Sequence, residues 1–252
     1  MFVFQSDADG SSIDYTPKKV GEIKVVWALG DSILAGTNTR TIETSSSDNF
    51  GAYLAKQIGA EYHDLAVANS TSNDVLYQAK SMGFSDLTII MVGPNDIFQG
   101  RSEEEFKRNI GAIVDEAKPK SRRVVLVGLP DFERLRQNFD SLSIAAQFYK
   151  GIVDNRNYVG QFEVFDKIIE KISRDKGVDY LPISQVKFER SDLGADSFHP
   201  GTKGHGKIAR MLEEKLPGLK YCPNRLRESL RRMRHGRKKW LGLTFMRWCL
   251  NG

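Results

Sequence analysis

Residue types that build metal centres and disulfide frameworks are scarce in this sequence of 252 residues. Only two cysteines are present, Cys222 and Cys249, so at most one disulfide bond can form, and we expect two unpaired thiols. Neither a CxxC nor an HExxH motif occurs, and histidine appears only four times. The sequence therefore predicts no metal site and no cofactor.

Long hydrophobic runs are missing as well. No apolar stretch approaches the roughly 20 residues that a membrane-spanning helix needs. Residues 1–10 lack both the basic start and the apolar run of a signal peptide. We expect either a cytoplasmic protein or an exported protein whose leader has been removed. Residues 1–21 are interpreted as an N-terminal leader segment ahead of the folded domain.

The net charge of +5 is concentrated in a C-terminal tail, residues 221–252. The tail holds nine Lys or Arg and a single acid, Glu228, so its net charge is +8, whereas residues 1–220 carry −3. A body without excess positive charge argues against nucleic acid as a partner. The tail also contains an aromatic and aliphatic cluster, which leaves two alternatives open. One is contact with an anionic membrane or cell envelope, and the other is a terminal helix docked on the body.

Apolar runs alternate with helical patterns along residues 22–220. Short runs rich in β-branched residues predict strands at 23–29, 62–67, 87–92, 123–127 and 178–183. Apolar residues recur at helical spacing at 50–58, 74–82, 102–118, 143–172 (with a break near Gly151) and 202–216. This alternation predicts one α/β domain, a three-layer α/β/α sandwich around a mostly parallel five-stranded sheet.

Polar segments follow the predicted strands at the point where each strand ends. They are GDS at 30–32, ANS at 68–70, GPND at 93–96 and DSFHP at 196–200. Because the carboxyl ends of parallel strands meet at one edge of the sheet, we expect these segments to lie together. A serine, an asparagine amide, a carboxylate and an imidazole are the components of an acyl-transfer site.

The base that would activate the serine is predicted from the four histidines. His199 lies in the last polar segment, whereas His63 is expected to pack on a strand and His235 lies in the tail. His205, in the final helix, stays an alternative base.

An acidic residue is expected to orient this imidazole. Asp196 precedes His199 by three residues and can reach its Nδ1 within one turn. The alternatives are an N-cap role for Asp196 and Asp192 as the orienting carboxylate.

Four blocks of the chain resemble the SGNH, or GDSL, hydrolase family of esterases and lipases over about residues 22–216. The blocks are VVWALGDSILAG, DLAVANSTSNDV, LTIIMVGPNDIF and DSFHPGTKGH. The resemblance implies a flavodoxin-like fold, Ser32 as nucleophile, His199 as base, Asp196 as the residue that orients it, and Asn95 as an oxyanion donor. The GxSxG motif of the α/β-hydrolase fold is not met at Ser32, which argues against that fold.

One position departs from the family pattern. The second block of the family normally has a glycine whose backbone N–H completes the oxyanion hole, and Asn69 stands there instead. A backbone N–H survives a change of side chain, and asparagine tolerates the left-handed conformation for which glycine is chosen. We therefore expect the N–H groups of Ser32 and Asn69 and the side chain of Asn95 to form the oxyanion hole.

Three further residues, Asp31, Gly93 and Asp96, are expected to support the loops that carry Ser32 and Asn95. The expected function is serine-dependent hydrolysis of a carboxylic ester of a small molecule, a lipid or an O-acetylated glycan. No long lid insertion is evident, which favours short acyl groups or acetylated glycans. A non-catalytic binding module that retains the fold stays the alternative from a different class.

Overall fold

The computed structural model describes residues 23–38, 43–44, 48–136, 147 and 156–216. The predicted leader (1–21) and tail (221–252) lie outside these residues, as does the break near Gly151, so the division into leader, domain and tail stays a prediction. Across the described ranges, no helix is long and apolar enough to cross a membrane, and no cluster of acidic, His and Cys side chains could hold a metal ion.

A five-stranded parallel sheet forms the centre of the fold. Its strands are β1 (Val25–Gly30), β4 (Glu61–Asp64), β5 (Leu87–Met91), β6 (Val124–Val127) and β7 (Asp179–Leu181). They lie in the order β4-β1-β5-β6-β7, and each neighbouring pair is parallel. This is the flavodoxin-like order, whose direction of winding changes between β1 and β5. Ligands of such sheets bind outside the carboxyl ends of the strands at that point.

Helices cover both faces of the sheet. They are α1 (Phe50–Ile58), α2 (Ser72–Ser81), α3 (Pro94–Phe98), α4 (Glu103–Ala117), α5 (Phe132–Arg136), α6 (Arg156–Lys176) and α7 (Thr202–Lys215). Helices α1 and α7 pack on each other, and α4 packs between α2 and α6. The three-layer sandwich predicted from the alternation of elements is therefore confirmed.

The strands are buried because helices lie on both sides of them. All five residues of β5 and all four of β6 are buried, and their sequences, LTIIM and VVLV, are almost entirely apolar. Uniform apolarity without alternation is typical of a parallel strand covered on both faces. The edge strand β4 has the pattern EYHD and is more exposed.

Helix boundaries follow capping chemistry. Asn49 caps α1 by accepting the N–H of Ala52 at 2.8 Å, and Gly59 ends it with a left-handed φ of 76°. Ser102 caps α4 by accepting the N–H of Glu105 at 3.2 Å.

Short elements were not predicted from the sequence. The helices α3 and α5 have five residues each, and the antiparallel pair β2 (Thr37–Asn38) and β3 (Glu43–Thr44) has two residues per strand. Elements of this length do not repeat a periodic pattern often enough to be read. The strand predicted at 62–67 is assigned only to Glu61–Asp64, and the side chain of Asp64 accepts the N–H of Ala66 at 2.9 Å.

Candidate active site

The serine segment begins where β1 ends. A Cβ on Gly30 would collide with the carbonyl oxygen of Met91 in β5, so only glycine fits this position. The N–H of Asp31 donates to the same oxygen at 3.2 Å, and Asp31 Oδ1 accepts the N–H of Ile33 at 2.9 Å. This Asx turn, closed by the side chain of Asp31, directs the chain away from the sheet. It leaves Ser32 half-buried at the edge of the sheet.

A continuous hydrogen-bonded row joins the serine, the imidazole and the carboxylate. Ser32 Oγ lies 2.7 Å from Nε2 of His199, and Nδ1 of the same ring lies 2.5 Å from Oδ2 of Asp196. His199 and Asp196 are both buried, at 6% and 2% relative exposure. Ser32 and His199 are 167 positions apart along the chain, and the edge of the sheet brings them together.

The loop before α7 holds this carboxylate in place. Asp196 Oδ1 accepts the N–H groups of Phe198 and His199, each at 3.0 Å, and Ser197, which follows Asp196, has a left-handed φ of 62°. Burial alone would raise the pKa of Asp196. The hydrogen bond and the electrostatic interaction with the His199 ring, together with the two backbone N–H groups, hold that pKa below its usual value.

The alternatives left open for base and orienting residue lie elsewhere. The N-cap of α7 is Gly201, not Asp196, and Asp192 accepts Lys207 Nζ at 2.5 Å. His205 is buried in α7 against Phe50, and burial lowers its pKa to about 4, so it is neutral.

His63, in the edge strand β4, is stacked on Trp27 with ring centroids 4.6 Å apart. Its side chain is 38% exposed, so it is only partly packed.

The segment that carries Asn69 is a tight turn. The N–H of Ser70 donates to the carbonyl oxygen of Val67 at 3.2 Å, and Asn69 has a φ of 66°. A four-residue turn whose third residue alone has positive φ is of type II, which favours glycine or asparagine at that position. Asn69 therefore has the left-handed backbone that the sequence led us to expect at this position.

The third polar segment begins α3. Asn95 Nδ2 donates to the carbonyl oxygen of Ser70 at 3.0 Å, which ties this helix to the turn that carries Asn69. An amide has two N–H donors, and this bond occupies one of them. Gly93, at the N-cap, has a φ of 146°, and a Cβ there would lie 3.0 Å from the side chain of Leu129.

The carboxylate of Asp96 reaches beyond its own segment to α2. It accepts the N–H of Ser72 at 2.9 Å and its hydroxyl at 2.6 Å, at the start of that helix. Asn109 of α4 donates to the same hydroxyl at 3.0 Å. Burial raises the pKa of Asp96 even though these donors lower it. Asp96 therefore fixes α2 against α3.

The family of the chain is decided by its sequence as a whole. The model of the GDSL-like lipase/acylhydrolase family matches residues 28–207, which is well over half of the chain. The chain belongs to this family. Membership makes it a carboxylic ester hydrolase, and a triad with an oxyanion hole is general in the family. No curated protein matches the sequence.

Solved structures share the fold of this GDSL family member at low sequence identity. LAE5, an alpha/beta hydrolase enzyme from the metagenome of Lake Arreo in Spain, is 16% identical, with a TM-score of 0.59 over 78% of this chain and 96% of its own. TesA is 19% identical, with a TM-score of 0.57 over 78% and 100%. A catalytic mutant of Axe2, an acetylxylan esterase from Geobacillus stearothermophilus, is 15% identical, with a TM-score of 0.58 over 78% and 95%.

Apolar side chains adjoin Ser32 and His199 in this GDSL hydrolase. Ile33 follows Ser32, Phe198 and Pro200 flank His199, and these three side chains help to line a small apolar pocket. Phe198 also packs edge-on to the His199 ring at 5.0 Å and contacts Phe98 of α3 at 5.9 Å between centroids. Aromatic packing therefore joins the His199 loop to the helix that carries the candidate oxyanion donor.

Sequence reasoning missed one buried polar residue of the site. Gln78 of α2 binds both backbone polar groups of Gly30. A glutamine inside an amphipathic helix carries no signal that would distinguish it from a surface residue, because the helical pattern predicts only which face is apolar.

Proposed function

We propose that this ester hydrolase works through Ser32 as a covalent nucleophile. The proposal is carried by one observation, the unbroken row from Ser32 Oγ through the His199 ring to Asp196, with distances of 2.7 and 2.5 Å. A serine hydroxyl is a weak nucleophile by itself and requires a base within hydrogen-bond reach. His199 Nε2 is at that distance, and the carboxylate on Nδ1 selects the tautomer whose Nε2 can accept the proton.

The acylation step follows from these positions. The proton of the Ser32 hydroxyl moves to Nε2 of His199 while Oγ bonds to the ester carbonyl carbon, and the carbonyl oxygen becomes an oxyanion. The buried, ionised Asp196 stabilises the resulting imidazolium. The C–O bond to the alcohol then breaks, and the imidazolium gives its proton to the leaving oxygen. Water repeats the sequence on the acyl-enzyme and releases the acid.

The oxyanion is stabilised by donors from three segments. These are the N–H of Ser32, the N–H of Asn69 and the second N–H of the Asn95 amide. The support for this assignment is the bond from Asn95 to Ser70, which holds the amide beside the Asn69 turn. Loss of one such donor typically raises the barrier by about 3 kcal/mol.

The substrate we propose carries a short acyl group, either on a small alcohol or as the O-acetyl group of a glycan. This choice is supported by the lack of a long lid insertion in the sequence and by the shared fold of Axe2, an acetylxylan esterase. The alternative of a non-catalytic module draws its support from Asn69, whereas the φ of 66° at that residue supports a working oxyanion hole.

Hydrolysis of p-nitrophenyl acetate, butyrate, octanoate and palmitate by the wild type and by Ser32→Ala tests the proposal. We expect turnover that falls with acyl length, and a loss of about 10⁴-fold or more in Ser32→Ala. Thr37→Ala, a hydroxyl deletion in the β2 strand, serves as the matched control. Equal rates in wild type and Ser32→Ala would remove Ser32 as the nucleophile.

We further propose that the tail, residues 221–252, contacts anionic membrane or cell envelope. Its support is compositional, a net charge of +8 beside a cluster of aromatic residues. Sedimentation with anionic and neutral liposomes tests it on the full chain. The triple variant Arg231→Gln, Arg232→Gln and Arg234→Gln should bind anionic liposomes less than the wild type, and equal binding would remove the idea.

A further inference from the structure

The side chain of Gln78 lies inside the site without a part in the chemistry proposed above. It projects from α2 to the end of β1 and is buried, with 9% relative exposure. Its Oε1 accepts the N–H of Gly30 at 2.7 Å, and its Nε2 donates to the carbonyl oxygen of Gly30 at 3.1 Å. One amide therefore holds both polar groups of the residue two positions before Ser32.

The two hydrogen bonds between Gln78 and Gly30 form at the end of β1, where the N–H of Gly30 is not paired with a neighbouring strand. The N–H groups of Leu65 and Val67 donate to the carbonyl oxygens of Ala28 and Gly30, which continues the ladder between β1 and β4 beyond the end of β4. In a regular parallel ladder the Gly30 N–H would donate to a backbone carbonyl. Here it donates to Gln78, whose amide has the same donor and acceptor as a peptide group.

The same amide reaches the neighbouring segment. Gln78 Nε2 donates to Ser70 Oγ at 3.2 Å, and the carbonyl oxygen of Ser70 accepts Asn95 Nδ2 at 3.0 Å. Hydrogen bonds thus run from the serine segment through Gln78 and Ser70 to Asn95. Buried polar networks in which the members are satisfied make their surroundings rigid.

We propose that Gln78 is a positioning residue for ester hydrolysis. By holding Gly30 and Ser70, it sets the distance between the Ser32 hydroxyl and the oxyanion donors on the adjoining segments. The proposal rests on the proposed function of Ser32. Small displacements of reacting groups reduce the rate of the chemical step more than they reduce ground-state binding, so changes at Gln78 act on kcat rather than on KM.

Gln78→Met tests the proposal, since it keeps the length of the side chain and removes all three hydrogen bonds. We expect kcat for p-nitrophenyl acetate to fall about 10- to 100-fold, with KM within about twofold of the wild type. Circular dichroism and the thermal midpoint establish that the variant is folded at the assay temperature. The matched control is Val75→Ala, which truncates a fully buried apolar side chain of the same helix.

Two results would overturn the proposal. One is an unchanged kcat in folded Gln78→Met, and the other is an equal loss of kcat in Val75→Ala at an equal loss of thermal midpoint. A failure of the proposed function itself looks different, because Ser32→Ala would then hydrolyse the ester as fast as the wild type. In that case the positioning role of Gln78 fails with it.

Gln78→Glu supplies a second test that does not depend on the methionine variant folding. The carboxylate keeps the acceptor for the Gly30 N–H but has no hydrogen for the Gly30 carbonyl oxygen, whereas the protonated acid restores that donor. We expect the ratio of kcat in Gln78→Glu to kcat in the wild type to rise as the pH is lowered. Asp31, Asp96 and His199 are present in both proteins, so their effects on kcat cancel in the ratio. A ratio that is flat or falls towards low pH would overturn the proposal.

Discussion

Asn69 shows how one residue can depart from a family motif and keep the backbone that the motif requires. The Val67–Ser70 turn needs a positive φ at its third residue, and the observed value is 66°. Asparagine reaches this region at low cost because its short polar side chain can hydrogen-bond locally. Under the proposed mechanism the turn provides a backbone N–H, and the change of side chain leaves that N–H in place.

The effects of substitutions at Asn69 on stability and kcat should therefore depend on the energetic cost of a positive φ, and not on side-chain chemistry. We predict that Asn69→Gly keeps the stability within about 0.5 kcal/mol and also keeps kcat. Asn69→Ala should lose about 1 kcal/mol, and its kcat should fall as the N–H shifts. Urea denaturation and p-nitrophenyl acetate hydrolysis measure the two quantities. Equal behaviour of the glycine and alanine variants would show that the turn does not control the donor.

Asp31 is a buried carboxyl that the proposed mechanism does not use. Its side chain has no exposed surface, and Oδ2 has no hydrogen-bond partner among the described residues. Burial, with the nearby charge of Asp96, raises the pKa of Asp31 to about 7, although the N–H of Ile33 partly offsets this. The carboxyl therefore keeps its proton more firmly in the folded chain than in the unfolded one.

A stability difference that depends on pH follows from this shift. Since the folded pKa lies above the unfolded value of about 3.9, Asp31 contributes stability that is complete below about pH 4 and is lost as the pH rises to about 7. Asp31→Asn cannot ionise, so its stability relative to the wild type should increase over that range, by at most about 4 kcal/mol. Urea denaturation at a series of pH values measures the difference. A difference that stays flat or decreases with pH would contradict the raised pKa.

At the scale of elements, long apolar patterns predicted the fold well. The strand LTIIMV was expected at 87–92 and occurs at Leu87–Met91, and the helix expected at 50–58 occurs at Phe50–Ile58. The strand is an almost uniformly apolar run, and the helix is capped by Asn49 and Gly59, so local sequence decides both.

Contacts between distant segments were beyond sequence reasoning. The carboxylate of Asp96, for example, binds Ser72 in another helix. The role of Gln78 likewise depends on where α2 meets β1. Such pairings are set by tertiary packing, which spacing along the chain does not encode.

The aromatic cluster between α5 and α6 supports the His199 loop from outside the triad. The rings of Phe132 and Phe162 stack with centroids 4.1 Å apart, and Phe132 contacts Phe198 at 5.8 Å. We predict that Phe132→Ala lowers the free energy of unfolding by about 3–5 kcal/mol, measured by urea denaturation. Phe84→Ala removes a ring that is 64% exposed and should cost less than about 0.5 kcal/mol. Similar losses in the two variants would contradict the buried cluster.

For the whole molecule, topology explains why residues far apart in sequence form one site. The strand order places the change of winding between β1 and β5. Ser32 follows β1, Asn95 follows β5, and the His199 loop returns to the same edge before α7. The position of the site could therefore be predicted from the order of strands and helices, whereas its distances could not.

The central claim is that Ser32 is the nucleophile, and mapping of a covalent adduct tests it most directly. The full chain would be treated with an alkyl fluorophosphonate, digested, and sequenced by mass spectrometry. The account predicts one phosphonylated residue, Ser32, no adduct in Ser32→Ala, and slow labelling in His199→Ala, because the base no longer accepts the hydroxyl proton. An adduct on another residue, or labelling of Ser32→Ala at the wild-type rate, would contradict it.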